Sequence, residues 1–332
     1  MTTARITTAQ AQDLEALLDG GEVTTIVLEA GHYQVDTLYL GSSVSLIGEA
    51  GPATTVLEPK GEAALLNVYG AGSSVHIRGL TLRGGRADGG GAIEVSNDVE
   101  LWVEDCIIDG NRADQFRGGG LYAYGDARVE LSRCLLSNNR CERGGALAAG
   151  DNAKLRVDRC MFSDNDATLG GALWVSDSAE VTIRSSSFVS NRASHQAGGE
   201  ALFVTGARDF GPQVTMVNSL VAGKRALVNN PERPGRVSLA HCIVPQDTLA
   251  GGALTDGGDN LEVQAELVFL REGLWVLRSG AAGSGTADLD QIPDDALDLL
   301  GRPLVQSGAA DPGALAAQGD ADEAAQYTHI DS

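Results

Sequence analysis

Charged residues recur at one position of successive similar segments of this chain. They are Arg86, Arg112, Arg140, Asp166 and Arg192. Two residues further on stand Asp88, Asp114, Glu142, Thr168 and Ser194, and His195 follows directly. Guanidinium groups bind carboxylates through paired hydrogen bonds, and carboxylate or imidazole groups transfer protons. The pattern predicts a strip that binds an anionic or hydroxyl-rich polymer. Its candidate catalytic residues are Asp166, Arg140, Arg192 and His195, and its candidate ligand-binding residues include Arg112 and Asp114.

A second interpretation of the same residues is structural. Arginines stacked about 5 Å apart repel one another, and Asp166 would relieve that repulsion within a solvated ladder of ion pairs. Exposed pairs of this kind add little stability. The sequence alone leaves both interpretations open.

Aromatic residues provide a second candidate surface. In the strand that follows each Gly-Gly pair, alternation places Leu121, Leu147, Leu173 and Leu202 on the inner face. The residues that alternate with them include Tyr122, Trp174 and Phe203, which therefore face outward. Large rings above small neighbours form a platform for sugar rings or a protein contact. The alternative is that the insert 206–212 or 229–236 covers them.

An internal repeat must position both surfaces. The best copies are LWVEDCIIDGNRADQFRGGGLYA (101–123), VELSRCLLSNNRCERGGALAA (129–149), LRVDRCMFSDNDATLGGALWV (155–175) and VTIRSSSFVSNRASHQAGGEALFV (181–204). Their apolar residues alternate with polar ones, which is the periodicity of a strand, and no helical segment is long enough for a crossover. Three short strands and three turns in each unit predict an all-β fold. It is a single-stranded right-handed parallel β-helix, a three-sheet solenoid of about nine or ten coils.

Three columns of the alignment have a structural explanation. Cys106, Cys134, Cys160 and Cys242 share a position with Leu80, Ser186 and Ser219, which predicts buried thiols. Cys141 shares a position with alanines and is also expected to be a core thiol. The column Asn111, Asn139, Asn165 and Asn191 predicts stacked amides at a turn that tolerates left-handed backbone. The Gly column predicts a backbone angle or a close approach that a Cβ would block.

We expect one continuous domain. Residues 1–22 are predicted to form an N-terminal cap with a short helix that carries Leu14, Leu17 and Leu18 on one side. The β-helix is expected over 23–263, closing coils and a C-terminal cap over 264–316, and a flexible acidic tail over 317–332.

Composition and sequence pattern argue against nucleic-acid binding, a membrane span and a metal site. The 332 residues include 45 acidic and 24 basic ones, for a formal charge of −21, and this argues against nucleic-acid binding, which needs a basic surface. The sequence shows neither a signal peptide nor a membrane span. The expected compartment is therefore the cytoplasm, or the cell exterior if a leader has been removed. Five cysteines without zinc-ligand spacing predict no metal site.

The repeats resemble a known group of proteins. Phe162-x-x-Asn165 and Phe188-x-x-Asn191, each followed by Gly-Gly, are similar to the F-x-x-N and G-G-A-[ILV] repeats of polymorphic outer-membrane proteins. They also resemble right-handed β-helix repeat proteins of the pectin-lyase-like superfamily, and the match covers about 73–204. The resemblance implies a fold shared by lyases, hydrolases, epimerases, adhesins and scaffolds. The resemblance also implies calcium as a possible ligand, because some members of the superfamily bind it. The sequence has no complete calcium motif, so no cofactor is expected.

Two functions of different class follow. The first is a non-catalytic binding or assembly module that recognises a polysaccharide or a protein, with its oligomeric state left open. The second is a polysaccharide lyase or epimerase acting on an acidic glycan. The first is preferred because the copies from 101 to 204 stay regular, and because the chain has only three lysines, Lys60, Lys154 and Lys224, to serve as a base.

Overall fold

Strand periodicity gives rise to three long sheets that wind around one apolar core. The computed structural model describes residues 2–115, 117–196, 198–206, 210–246, 254–262, 267–271, 274–277, 286–292, 298, 310 and 312–313. The strands of the three sheets pair in parallel, each with its counterpart in the next coil. For example, Val129 pairs with Leu101 of the preceding coil and with Leu155 of the following one. The predicted right-handed parallel β-helix is confirmed, with about nine turns.

Each coil contributes strands to the sheets in a fixed order. Sheet 1 contains Thr3–Ile6, Thr25–Leu28, Val44–Gly48, Ser74–Arg78, Glu100–Glu104, Arg128–Ser132, Lys154–Asp158, Glu180–Arg184, Gln213–Val217, Arg236–Ala240 and Thr255–Asp256. Sheet 2 contains Gly31–Val35, Thr55–Pro59, Thr81–Arg83, Ile107–Asp109, Leu135–Ser137, Met161–Ser163, Ser187–Val189, Leu220–Val221, Ile243–Val244 and Leu261–Glu262. Sheet 3 contains Leu38–Leu40, Leu66–Val68, Ile93–Val95, Leu121–Ala123, Leu147–Ala149, Leu173–Ser176, Leu202–Thr205 and Leu227–Asn229.

The inward columns form the core. Cys106, Cys134, Cys160 and Cys242 are buried, as their shared position with Leu80 predicts. One residue column in sheet 2 places Phe162 and Phe188 in adjacent coils, where their rings stack at 4.6 Å between centroids. Burying one large apolar side chain stabilises the fold by about 1.5–3 kcal/mol, so a core that repeats in every coil dominates its stability.

The Asn column stacks along the axis as predicted. The Nδ2 of Asn139 donates to the Ile108 carbonyl at 2.8 Å and to the Oδ1 of Asn165 at 3.1 Å. Asn111 and Asn165 make the same contacts with their own neighbours. The prediction of left-handed backbone at this column was wrong, because the positive φ falls on the preceding residue, such as Asn138 (54°) or Asp164 (57°). The backbone turns at that residue, and the side-chain amide of the next residue points along the stack.

The two residues of the Gly-Gly pair require glycine for different reasons. Gly144 has a φ of 70°, a conformation that favours glycine. Gly145 has no such angle, but a Cβ there would lie 2.1 Å from the carbonyl oxygen of Gly171 in the next coil. The expected backbone angle and the expected close approach therefore both occur, on consecutive glycines.

The N-terminal end is covered by a short helical segment. Thr8–Asp13 is a 3-10 helix that continues into the α-helix Leu14–Asp19, where Leu14 and Leu18 are buried. The first strand of sheet 1, Thr3–Ile6, precedes this segment, so part of the predicted cap already belongs to the solenoid.

The stretch expected to hold closing coils differs from a regular coil. Leu267–Arg271 and Leu274–Leu277 pair antiparallel with each other. Beyond them lies a 3-10 helix, Leu289–Gln291. This later segment returns to an earlier coil, where the Nδ2 of Asn218 donates to the Asp288 carbonyl at 2.8 Å. The predicted tail, 317–332, lies outside the described residues.

Candidate functional site

The outer side of sheet 3, called here the sheet 3 face, carries two parallel rows of side chains. Strand register aligns the first row, which consists of Tyr39, Asn67, Glu94, Tyr122, Ala148, Trp174, Phe203 and Val228. The second row lies two residues further along each strand and consists of Gly41, Tyr69, Ser96, Tyr124, Gly150, Ser176 and Thr205. Adjacent members of a row are separated by about 4.8 Å, the distance between paired strands.

The N-terminal half of this face is rich in exposed tyrosine. The side chains of Tyr39 and Tyr69 are 48% and 42% exposed, and their rings meet edge to face at 6.5 Å. Further along, Tyr122 and Tyr124 stack at 4.8 Å. Burial raises the pKa of both Tyr122 and Tyr124, so at neutral pH their hydroxyl groups are protonated. Protonated hydroxyls both donate and accept hydrogen bonds.

In the C-terminal half of the face, the structure differs from the predicted aromatic platform. Trp174 and Phe203 face away from the core, as alternation predicts, but only 4% and 5% of their surface is exposed. The guanidinium carbon of Arg117 lies 4.2 Å from the Trp174 ring centroid, and that of Arg143 lies 6.0 Å away. These side chains come from the turn before the Gly-Gly pair, whereas the sequence pointed to the two inserts as covers. An open platform at Trp174 and Phe203 is therefore wrong, while Tyr122 stays half-buried.

Small residues explain how Arg117 reaches Trp174. The coil between them presents Ala148 and Gly150, and a Cβ on Gly150 would lie 3.0 Å from the Arg117 Nη1. That nitrogen donates to the Tyr122 hydroxyl at 3.3 Å and lies 3.8 Å from the Asp177 carboxylate. The result is a polar end to the tyrosine surface, with hydrogen-bonding groups of both kinds.

The predicted charged strip forms a ladder. Arg86, Arg112, Arg140, Asp166 and Arg192 pair in register in five successive coils. The carboxylate of Asp114 joins two of them, lying 2.7 Å from the Nε of Arg86 and 2.5 Å from that of Arg112. The hydrogen bond from Arg86 lowers the pKa of Asp114, with further contributions from Arg112. Asp114 is thus an ionised partner in a surface network.

The proposed catalytic residues lie on the exposed part of this ladder. Arg140 and Asp166 are 3.9 Å apart, with side chains 66% and 38% exposed. Arg192 follows Asp166 in the next coil, and His195 is exposed in the turn beyond, where its backbone N–H donates to the Thr168 carbonyl at 3.1 Å. The register thus brings the three charged residues together in consecutive coils. Their catalytic role stays a prediction.

Several contributors to the sheet 3 face were not identified from the sequence. Tyr39 and Tyr69 belong to the opening coils, whose sequences diverge too far from the repeat to be aligned with it. The segments LYL (38–40) and LNVY (66–69) nevertheless show the strand alternation that places these rings outside. Arg117 carried no comparable signal, because its contact with Trp174 spans two coils.

Three other properties can be checked on the described residues, namely metal binding, membrane crossing and thiol reactivity. Within these ranges, no three His, Cys, Asp or Glu side chains converge as a metal site would require. No helix in the same ranges is long and apolar enough to cross a membrane. Burial raises the pKa of the Cys141 thiol, so this cysteine is buried as expected, although it lies outside the main core cluster.

Comparisons with known proteins found distant solved structures and one family model. The solved structures that align with the chain include a mutant pectin methylesterase in complex with a hexasaccharide and a mannuronic-acid-specific polysaccharide family 6 lyase from human gut microbiota. The first is 10% identical over 99% of this chain and 96% of its own, with a TM-score of 0.36. The second is 12% identical over 79% and 78%, with a TM-score of 0.33. At these values the likeness carries no information on function.

No curated protein matches the sequence. A family model described as the right handed beta helix region matches residues 64–264, which include most of the coils described above. The chain therefore belongs to the right-handed β-helix family.

Proposed function

We propose that this chain is a non-catalytic module that binds a polysaccharide along its sheet 3 face. The observation that carries the proposal is the aligned row Tyr39, Asn67, Glu94 and Tyr122, with Tyr69 and Tyr124 beside it. Aromatic rings and hydrogen-bonding groups lie next to each other there in four consecutive coils.

The chemistry of the row suits sugar rings. A pyranose has apolar C–H faces that pack on aromatic rings, and a rim of hydroxyl groups that need donors and acceptors. Tyr39 and Tyr69 supply exposed rings, while Asn67 and Glu94 supply amide and carboxylate groups next to them along the row. Each contact satisfies one part of a sugar.

The geometry suits a polymer in particular. Four coils at the strand spacing extend about 14 Å along the solenoid axis. A glycan chain lying along that axis contacts several coils at once, and the resulting contacts act together in one binding event. A narrow row of this kind fits an extended polymer better than it fits the broad surface of a protein partner.

Glycan-array binding of wild type and of the double variant Tyr39→Ala/Tyr69→Ala tests the proposal. We expect the double variant to bind about tenfold more weakly or worse, since each ring contact contributes about 0.5–1.5 kcal/mol beyond its buried area. Phe210→Ala is the matched control, because Phe210 is also an exposed aromatic residue, at 61%, but lies outside both rows. Its binding should equal that of wild type.

A parallel ultraviolet assay for unsaturated uronate separates binding from catalysis. Binding without product release supports the proposal. Release that disappears in Asp166→Ala would replace it with a lyase built on the charged ladder. Equal binding by wild type and the double variant, or no glycan binding at all, would overturn the role of the sheet 3 face.

A further inference from the structure

The outer side of sheet 1 carries an aromatic pair that the proposed function does not use. His76 and Trp102 are paired residues of adjacent strands, and their rings stack at 4.4 Å with an interplanar angle of 10°. His76 is exposed and Trp102 is half-buried. The stack therefore presents a ring to solvent that is held in place from one side.

The neighbouring coils leave room on the open side of His76. The register continues from His76 to Ser45 and then to Thr25, both of which have short hydroxyl side chains. Rings in register on adjacent strands stack along the solenoid axis, so a third planar group would lie above Ser45. We call this position the Ser45 slot.

The boundaries of the Ser45 slot are apolar and polar in turn. Val27 and Ile47 pair with each other two residues along their strands and are half-buried on the same side of the sheet. They add aliphatic surface beside the imidazole, while Ser45 and Thr25 add hydroxyl groups at its base. Aromatic, aliphatic and hydroxyl groups together match the C–H face and the hydroxyl rim of a pyranose.

The charges around the slot disfavour an anionic ligand. Arg78 pairs with Ile47 in the sheet, but its Nε already faces the Asp105 carboxylate at 3.3 Å. On the far side of the stack, Trp102 pairs with Glu130, whose negative charge would repel an anion. A neutral sugar meets no such repulsion.

We propose that the Ser45 slot is a second carbohydrate site, which takes a pyranose residue of a neutral glycan against the His76 ring. Trp102 acts as a positioning residue by holding the imidazole plane. The slot lies on a different sheet from the Tyr39 row, so either site can exist without the other.

Titration of neutral oligosaccharides, hexamers of glucose, mannose and galactose, tests this site by nuclear magnetic resonance. The His76 ring signals, assigned by their loss in His76→Ala, should shift with at least one of the three sugars. Ser45→Leu fills the slot and should weaken that response about tenfold or more. Tyr39→Ala/Tyr69→Ala is the matched control and should leave the His76 response unchanged.

Three results would overturn the proposal. They are no shift of the His76 signals with any of the three hexamers, an unchanged response in Ser45→Leu, and a stronger response to an acidic hexamer than to the neutral ones. His76→Ala offers a second test, since His76 is exposed and lies outside the core. In that variant, the part of the binding that survives Tyr39→Ala/Tyr69→Ala should be lost.

Discussion

The guanidinium group of Arg117 lies against the ring of Trp174, 4.2 Å from its centroid, although the two residues belong to coils separated by a third. The contact passes over Ala148 and Gly150, two of the smallest residues of the sheet 3 face. It covers the Trp174 ring, whereas Tyr39 and Tyr69 in the N-terminal half of the face are open to solvent. A long side chain from another coil thus removes one ring of the aromatic row from the surface available to a ligand.

Replacement of Arg117 by alanine should expose Trp174. In a background with Trp102→Phe and Trp275→Phe, emission comes from Trp174 alone, and we expect a red shift with stronger acrylamide quenching in Arg117→Ala. Loss of the cation–π contact should cost about 0.5–1 kcal/mol of unfolding free energy. Arg156→Ala, an exposed arginine on sheet 1, is the control and should change neither signal. Unchanged quenching in Arg117→Ala would show that another group covers the ring.

The Asn stack predicts a large effect from one buried amide. Asn139→Ala removes bonds to the Ile108 carbonyl and to Asn165, and leaves the backbone N–H of Asn111 without its 3.0 Å acceptor. Each unsatisfied buried group costs about 1–3 kcal/mol, so chemical denaturation should show a loss of about 2–4 kcal/mol.

The adjacent Asn138 gives a matched control for that measurement. It is exposed and has a φ of 54°, which glycine adopts without strain. Asn138→Gly should therefore change the unfolding free energy by less than about 0.5 kcal/mol. Equal losses in Asn138→Gly and Asn139→Ala would contradict a specific role for the stacked amides.

The sequence predicted the register of the solenoid because every coil repeats the same columns. Cys160, Asn165 and Gly171 each lie in the kind of environment that their columns indicated. The left-handed position was misplaced by one residue, since a column of asparagines fits both a stacked amide and a positive φ. The backbone angle, the burial and the hydrogen bonds in the structure distinguish Asn139 from Asn138.

The candidate site was less predictable than the fold. Strand alternation correctly placed Trp174 outside the core, but it gives no information on the length of side chains from other coils. Arg117 covers the ring from two coils away, so its effect depends on Ala148 and Gly150 in between. Tyr39 was missed for a different reason, because the opening coils diverge from the repeat on which the alignment rests.

Acid should weaken an ion pair at the turn between sheets 1 and 2. Arg133 donates to the Asp105 carboxylate at 2.6 and 2.9 Å. Burial alone would raise the pKa of Asp105, but the hydrogen bond and charge of Arg133, together with Arg78, lower it below its usual value. Because the folded pKa is depressed, this stabilisation is present above the unfolded pKa of about 3.9 and is lost as pH falls through the folded pKa.

Asp105→Asn tests that dependence without disturbing the backbone, since Asp105 has a φ of 50° and asparagine tolerates this conformation. At pH 7 the variant should be less stable by about 1 kcal/mol, a small value because the pair is partly exposed to solvent. The difference between wild type and variant should shrink as the pH is lowered below about 4. A difference that stays constant down to pH 2 would contradict the assignment.

The cysteines should be unreactive in the folded protein. All five are buried thiols, and burial raises the pKa of Cys242 to about 12 and the pKa values of Cys106 and Cys160 well above the usual range. The thiolate is the reacting species, so a disulfide reagent at pH 8 should label none of the five in the native state and all five in denaturant. Cys141, which lies outside the main core, is the most informative position. Rapid labelling there, abolished by Cys141→Ala, would show that the turn before the Gly-Gly pair opens in solution and uncovers more than the static structure exposes.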